Sequence, residues 1–512
     1  MGIYRYTASA DNTITNAFRS NLTGRGTGSN MGAADVLEAF YIVGQTSASA
    51  GLSSEKSRIL INFPFVDIES DRSASNPVIA ESGSVSWYLR LYNARHASSL
   101  PKEFYMSVHP ISASWQEGTG LDMDEYTDQT YGVLSGSNWI VSSVGTNWTT
   151  QGGDYIAIGD PNNTGAGYFS DGTEDLEIDV SHMVEQMLHG SGSGLARYGF
   201  GIMLSGSHET GSQSQYTKKF FSRSSEYFFK KPVLEARWDS TEKDRAGNFY
   251  LSSALAPAED NLNKLYLYNY VRGQLADIPN LTNNLINVSL YSGSALNTAP
   301  AGDSADPLFL PVGGDVANKG DTAAQGGKIS TGIYTASLAY ASSSITTVFP
   351  IWNKSGTQYY TGSAISVKTF GSENNINPNP EYVSKITNLK QTYSTNEKAR
   401  FRLYAREKDW SPTIYTAASS EIENNIVEDA YFKVFRIIDD LEVISYGTGS
   451  ATSPEQTGSA GSYTRLSYDI SGNYFDLEMD MLESGYAYGI KLAYYANGRY
   501  NEQPEVFKFR VD

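Results

Sequence analysis

The chain has 512 residues, room for about three domains of ordinary size, and a formal net charge of −18. Its acids are spread along the sequence, which argues against nucleic acid or an anionic membrane as a partner, because phosphate contacts need clustered Lys and Arg. It has no cysteine, which removes disulfides, thiol nucleophiles, zinc–thiolate sites and iron–sulfur clusters.

Taken in chain order, a short helical turn is predicted near Met31-Gly-Ala-Ala-Asp-Val-Leu-Glu38. Strands then show themselves by alternation. Ile59, Ile61 and Phe63 alternate with Arg58, Leu60 and Asn62; Val85, Trp87, Leu89 and Leu91 alternate with Ser86, Tyr88 and Arg90; Phe104, Met106 and Val108 repeat the pattern. One helix is predicted over Ser181–His189, where Val180, Met183, Val184, Met187 and Leu188 form a single apolar stripe, with Ser181 as N-cap and Gly190 as stop. Two polar, turn-rich stretches mark boundaries, at residues 239–247 and 371–380. The predicted domains are therefore 1–240, 248–371 and 380–512, the last two of immunoglobulin size with about seven short strands each. Residues 448–461 read as a mobile hairpin tip. Near the end Phe475, Leu477, Met479 and Met481 alternate with acids, and Phe507, Phe509 and Val511 with polar residues. Such alternation is the pattern of antiparallel sheets with one face on a core. The predicted class is all-β.

The first domain carries a series of short phrases in fixed order. They are Ala10-Asp-Asn-Thr-Ile-Thr15, Asn30-Met-Gly32, Ser57-Arg-Ile-Leu-Ile-Asn-Phe63, Ser114-Trp-Gln-Glu-Gly118, Asn147-Trp148 with Gly152-Gly-Asp-Tyr155, Ile178-Asp-Val-Ser181 with its helix, Tyr198-Gly-Phe-Gly-Ile-Met-Leu204 and Lys231-Pro-Val-Leu-Glu-Ala236. This order resembles the DNRLRE-type domain over about residues 6–238. The departures are a long first loop, Arg19 to Asn30, and an acidic insertion, Asp122 to Asp128. The resemblance implies a jelly-roll-like sandwich with one short helix, of the kind found in surface, carbohydrate-binding and particle-forming proteins. The three-part layout, with two immunoglobulin-like β-sandwiches after the first domain, also resembles structural proteins of tailed bacteriophages that decorate capsids, necks and tails.

Chemistry has few places to sit. The five histidines all lie in the first domain, and His182, Glu185 and His189 share the polar face of the helix without the i, i+4 His pair of a zinc site. Asp122, Asp124 and Asp128, with Glu125, are calcium candidates, although the loop lacks the Gly and terminal Glu of an EF-hand, and an acidic exposed loop is the plainer reading. Glu117 beside Trp115 is the nearest thing to a carboxylate on an aromatic wall, and in the resembled family that Trp is a structural landmark. Trp148, Trp139, Trp352 and Trp410 are candidates for stacking on sugar rings, against the plainer reading of core packing. Glycine runs at residues 24–28 and 190–194 do not sit between strand and helix and are loops, not phosphate cradles.

No catalytic residue, cofactor or metal is expected from this pattern. Tyrosine is the outlier of the composition, at 36 against 21 Phe and 7 Trp, which suits half-wet sheet surfaces that touch neighbours. The opening Met1-Gly-Ile-Tyr-Arg-Tyr6 has no apolar segment of signal-peptide length, so maturation in a cytoplasm is expected. The reading is a non-catalytic virion structural protein, a symmetric homo-oligomer with other virion proteins as partners and no nucleic acid or membrane. The alternative is a carbohydrate-binding adhesin or receptor-binding module touching host surface glycans.

Overall fold

In the computed structural model, residues 2–18, 24–47, 50–74, 77–95, 102–121, 136–156, 164–189, 194–212, 214–292, 306–368, 381–408, 424–447, 462–496 and 498–512 are described. The calcium candidates Asp122, Asp124 and Asp128, together with His96, Gly190, Trp410, the stretch 371–380 and the tip 448–461, lie outside them. The chain divides into two compact units, Gly2–Trp238 and Asp239–Asp512. Strand dominates both, and the fold is all-β. No helix among the described residues is long and apolar enough to cross a membrane.

The first unit is a two-sheet sandwich. Its elements are β1 (Ile3–Thr7), β2 (Ala10–Thr15), β3 (Val36–Ser47), β4 (Ala50–Asn62), α1 (Phe65–Ser73), β5 (Ser86–Leu91), β6 (Phe104–Pro110), β7 (Val141–Ser143), β8 (Thr146–Asn147), β9 (Gly165–Phe169), β10 (Leu176–Asp179), α2 (Ser181–Leu188), β11 (Phe200–Leu204), α3 (Gly206–Thr210), β12 (Gln215–Phe221) and β13 (Val233–Arg237). A four-stranded sheet runs β1-β13-β5-β10, and a seven-stranded sheet runs β12-β3-β4-β11-β6-β9 with β2 also paired to β4. The predicted inward residues meet between them: Ile59, Ile61, Trp87, Leu89, Leu91, Phe104, Met106 and Val108 share one buried cluster. Before Ile59, β1 and β2 pair within the two sheets.

Helix differs from expectation in three ways. Residues Met31–Asp35 form turns, and β3 starts at Val36, so the predicted helical turn is absent. The pairing of Phe220 with Leu37 and Phe221 with Val36 explains this: sheet pairing overrides local spacing. The helix at Ser181–Leu188 is present, but its cap is Val180, and the Ser181 hydroxyl accepts the Trp87 amide at 2.7 Å instead. Lastly α1, a helix of low amphipathicity, lies beside α2. It is held by Arg72, whose two terminal nitrogens reach Glu185 at 2.9 and 2.6 Å. Glu185 also accepts Trp87 Nε1 at 2.9 Å and the Ser82 hydroxyl at 2.7 Å, so this residue of the polar face of α2 is a tie, while His182 and His189 on that face are exposed.

The outer face of the four-stranded sheet holds a second tie. Glu235 on β13 is fully buried, and Arg5 on β1 (2.6 Å), Arg90 on β5 (3.1 Å) and Arg237 (2.6 Å) all pair with it. Burial alone would raise its pKa, but the three guanidinium groups outweigh burial and hold the carboxyl well below the usual range. They join three neighbouring strands through one carboxylate.

The second unit begins with an eight-stranded sheet. Its order is Phe249–Tyr250, Ile365–Lys368, Thr347–Lys354, Leu285–Ser292, Ala324–Ser330, Ile333–Leu338 and Asn263–Tyr268, with Thr357–Thr361 beside Thr347–Lys354. Residues of both ends, Phe249 and Val367 at one and Leu265 and Leu267 at the other, belong to one buried cluster, so the sheet wraps a single core. A four-stranded sheet (Tyr382–Ile386, Lys398–Glu407, Gly472–Glu478, Ser467–Asp469) and a six-stranded sheet containing Ala430–Arg436, Ala487–Ala496 and Phe507–Val511 follow. The strand predicted near 475–481 ends at Glu478, and Met479–Met481 turn into a 3₁₀ segment.

Replacing Glu235 with Gln removes the buried counter-charge that Arg5, Arg90 and Arg237 share, while Arg90 and Arg237 keep Glu177. The expected loss in urea unfolding is about 3–5 kcal/mol, the usual cost of breaking a buried pair. Because the folded pKa is lowered, the stability Glu235 lends is present above its ordinary value of 4.5 and is lost as the pH falls, so wild type and variant converge in acid. Equal midpoints at neutral pH contradict this.

Candidate functional site

Two places collect polar and aromatic side chains, and they differ in character. In the first unit, the excursion after β6 folds back over the outer face of the seven-stranded sheet. Ile14 and Leu60, on that face, bury against Ile111, Trp139 and Trp148, with Trp115, Tyr155 and Tyr198 packed round them. Trp139 and Trp148 are 5% and 4% exposed, so neither offers a face to a sugar; this corrects the glycan-stacking expectation. Trp148 Nε1 donates to the Asn138 carbonyl, and Trp115 Nε1 to that of Tyr198, both at 2.8 Å. Trp352 is also buried, at 2% exposed.

Glu117 likewise has a structural partner. Arg223 reaches it through Nε at 2.6 Å and Nη2 at 2.5 Å, and the carboxylate also accepts the Asp11 amide at 3.0 Å. Asp11 Oδ2 accepts the Arg223 amide at 2.6 Å, while Oδ1 is buried with no hydrogen-bond partner. Burial therefore pushes the Asp11 carboxyl up to about 7, with Glu117 adding to it and the Arg223 amide opposing it. Beside this cluster the resembled phrases lock together. A Cβ on Gly118 would fall 2.0 Å from Asn30 Oδ1, and one on Gly120 2.0 Å from the Asn30 carbonyl oxygen, so only glycine fits there. Arg58 ties the excursion at its other end, with Nε and Nη2 each 2.7 Å from Glu209 and Nη1 3.0 Å from the Gly152 carbonyl.

The histidines are scattered. His109 is buried beside Thr164 at 3.3 Å, His182 meets Gln186 at 2.7 Å and His208 meets Ser205 at 2.9 Å. Among the described residues, no three His, Asp or Glu side chains stand as a metal-ligand group.

The second place is a cleft of about 360 Å³ in the second unit, a size that suits a small ligand. Tyr266, Tyr268, Tyr270 and Tyr360 line it with Trp352 and Ile470, and Asp244 and Asp469 supply carboxylates. The rings of Tyr266 and Tyr268 are nearly parallel, 17° apart with centroids at 6.2 Å, because residues two apart on a strand share a face. Tyr270 and Tyr360 are 60% and 50% exposed. The segment 242–244 is fixed to the strand Ser467–Asp469, with the Asp244 amide on the Tyr468 carbonyl and the Tyr468 amide on the Glu242 carbonyl, both at 3.0 Å. Glu242 accepts the hydroxyls of Tyr474 at 2.6 Å and Tyr268 at 3.3 Å. Asp469 is neutralised by Arg402, with both oxygens 2.7 Å from Nη1. Asp244 accepts the Ala246 amide at 3.0 Å; burial raises its pKa to about 7, the amide opposes the shift, and Asp469 and Glu242 add to it. The cleft is thus an aromatic surface with acceptor oxygens and little uncompensated charge. Sequence reasoning missed it, although the alternation Lys264-Leu-Tyr-Leu-Tyr-Asn-Tyr270 was its signal.

No family model matches the chain, and no curated protein matches it. Solved structures similar to it include a marsupial T cell receptor, at 7% identity and a TM-score of 0.15, covering 52% of this chain and 71% of that one. A chicken T cell receptor matches at 10% identity and a TM-score of 0.17, over 51% of this chain and 96% of that one. A fragment of the ICAM-5 ectodomain, domains D1–D4, matches at 10% identity and a TM-score of 0.11, over 92% and 91%.

The Asp11 environment gives a pH prediction. Its folded pKa is raised, so its contribution to stability is fully present below 3.8 and is lost as the pH rises through about 7. Asp11→Asn removes that dependence, and the fall in urea midpoint between pH 5 and pH 8 is expected to shrink against wild type. An unchanged fall contradicts the assignment.

Proposed function

We propose that this chain is a non-catalytic structural component of a bacteriophage virion, docking on the capsid, neck or tail in symmetric copies. The phage context comes from the resemblance of residues 6–238 and of the three-part layout. One surface observation carries the docking role. Tyr105 on β6 and Tyr168 on β9 lie opposite each other in register, their ring centroids 4.8 Å apart, and they are 47% and 51% exposed. β9 ends the seven-stranded sheet, so this aromatic pair stands beside a strand edge. Large aromatic rings beside an edge strand are a liability on an isolated protein and an asset at an interface. The net charge of −18 keeps such a subunit soluble before assembly. We read the part over residues 382–511 as immunoglobulin-like, on its two facing sheets, and the first unit as jelly-roll-like.

The test is purification of particles carrying the wild-type chain and a Tyr105→Lys, Tyr168→Lys variant. Wild type is expected on the particle at a copy number set by its symmetry, and the variant is expected in the soluble fraction with an unchanged melting temperature. Recovery of the wild type only as a free monomer overturns the proposal.

The second reading, a carbohydrate-binding module, has its own observation in the tyrosine cleft. Ring faces stack on the apolar faces of sugars, and carboxylate oxygens accept hydroxyl hydrogen bonds. A glycan array on the whole chain is expected to give hits that Tyr266→Ala with Tyr360→Ala abolishes. A blank array removes this reading and leaves the first intact.

A further inference from the structure

We infer that Lys218 and Asn93 are the two halves of an intramolecular amide cross-link that ties the two sheets of the first unit. Lys218 lies on β12, at the edge of the seven-stranded sheet, and Asn93 follows β5 of the four-stranded sheet. The residues are 125 apart in sequence, yet Lys218 Nζ is 2.6 Å from Asn93 Oδ1. With a C=O bond of about 1.23 Å, the Asn93 Cγ carbon is then at most about 3.8 Å from the amine, close to attack distance. The bond would go beyond the docking role proposed above and does not depend on it.

Both partners are pinned. The Gly172 and Glu174 carbonyls accept from Nζ at 2.9 and 2.8 Å. The Asn93 amide donates to Asp175 Oδ1 at 2.7 Å, and Asn93 forms a β-bridge with Phe220. Held geometry of this kind replaces a bimolecular encounter and is worth many orders of magnitude in effective concentration. Lys218 is 1% exposed. Its amine sits 4.8 Å from the Phe169 ring centre and 5.0 Å from that of Phe220, and Phe169 stacks on Phe104 at 4.9 Å. These walls keep water from competing for the Asn93 carbonyl. Burial lowers the amine pKa to about 8, against the opposing fields of Glu174 and Asp175, so a neutral nucleophile is accessible near physiological pH.

The chemistry balances without an added reactant. The neutral Nζ attacks Cγ of Asn93, the bond from Cγ to the side-chain nitrogen breaks, and an Nζ–Cγ amide remains. Nζ gives up one of its two hydrogens as the new bond forms, and that proton passes to the side-chain nitrogen of Asn93, which departs as ammonia. Nothing is oxidised or reduced. A cysteine-free chain has no disulfide to hold its sheets together, and this bond would fill that role.

The test is the intact mass of the denatured full-length chain, followed by a peptide map. The expected mass is lower than the sequence mass by one ammonia, about 17 Da, with the peptides bearing Asn93 and Lys218 found joined. Lys218→Arg keeps the charge but cannot form the bond, and its mass is expected to match its sequence. A wild-type mass equal to the sequence mass overturns the inference. So does a 17 Da loss that persists in Lys218→Arg, or one that maps to linear peptides. The wild-type map decides the matter even where the variant fails to fold.

Discussion

A buried carboxylate surrounded by guanidinium groups is the constraint on which the first unit turns. Glu235 is fully buried and meets three arginines, one on β1, one on β5 and one on its own strand. A lone carboxylate there would be strongly unfavourable, and a lone arginine likewise. Together they fix the spacing and register of three strands on the face that the hydrophobic core does not reach. The same device recurs with Arg72 and Glu185 between the two helices, with Arg58 and Glu209, and with Arg223 and Glu117 under the excursion after β6. Long connections must satisfy their backbone and hold their place, and here charged side chains from the sheet do that work.

This pattern bears directly on function. Among the described residues, the acids that a sequence reading singles out for chemistry, Glu117 and Glu185, are engaged by arginines. What the protein presents outward is aromatic: the Tyr105–Tyr168 pair beside a strand edge, and the tyrosine cleft of the second unit. Both are the surfaces we propose for contact. Tyrosine suits each because its ring is apolar and its hydroxyl tolerates water, so it can be exposed before binding and buried after it.

Much of the sheet structure was legible from alternation. Trp87, Leu89 and Leu91 point inward as their spacing demands, and so do Phe104, Met106 and Val108. What escaped depended on distant partners. The helix α1 has only Phe65 and Ile68 buried, too thin a stripe to read, and it is secured by Glu185, 113 residues away. Trp139 and Trp148 stand among polar turn residues, which left sugar stacking open beside the plainer reading of core packing. Their burial depends on the excursion returning to Ile14 and Leu60, which no local pattern announces. The cleft tyrosines were visible as alternation but not as a site, because Asp469 and Ile470 reach them from some 200 residues further along. The approach of Lys218 to Asn93 had no local signal either.

The central claim is that this chain works by contact through its exposed aromatic faces. Hydrogen exchange on the free chain and on the chain assembled in a particle tests it most directly. The account predicts new protection in β6 and β9 around Tyr105 and Tyr168, with the buried strands β5 and β13 unchanged. Identical exchange in both states, with no segment gaining protection, contradicts it.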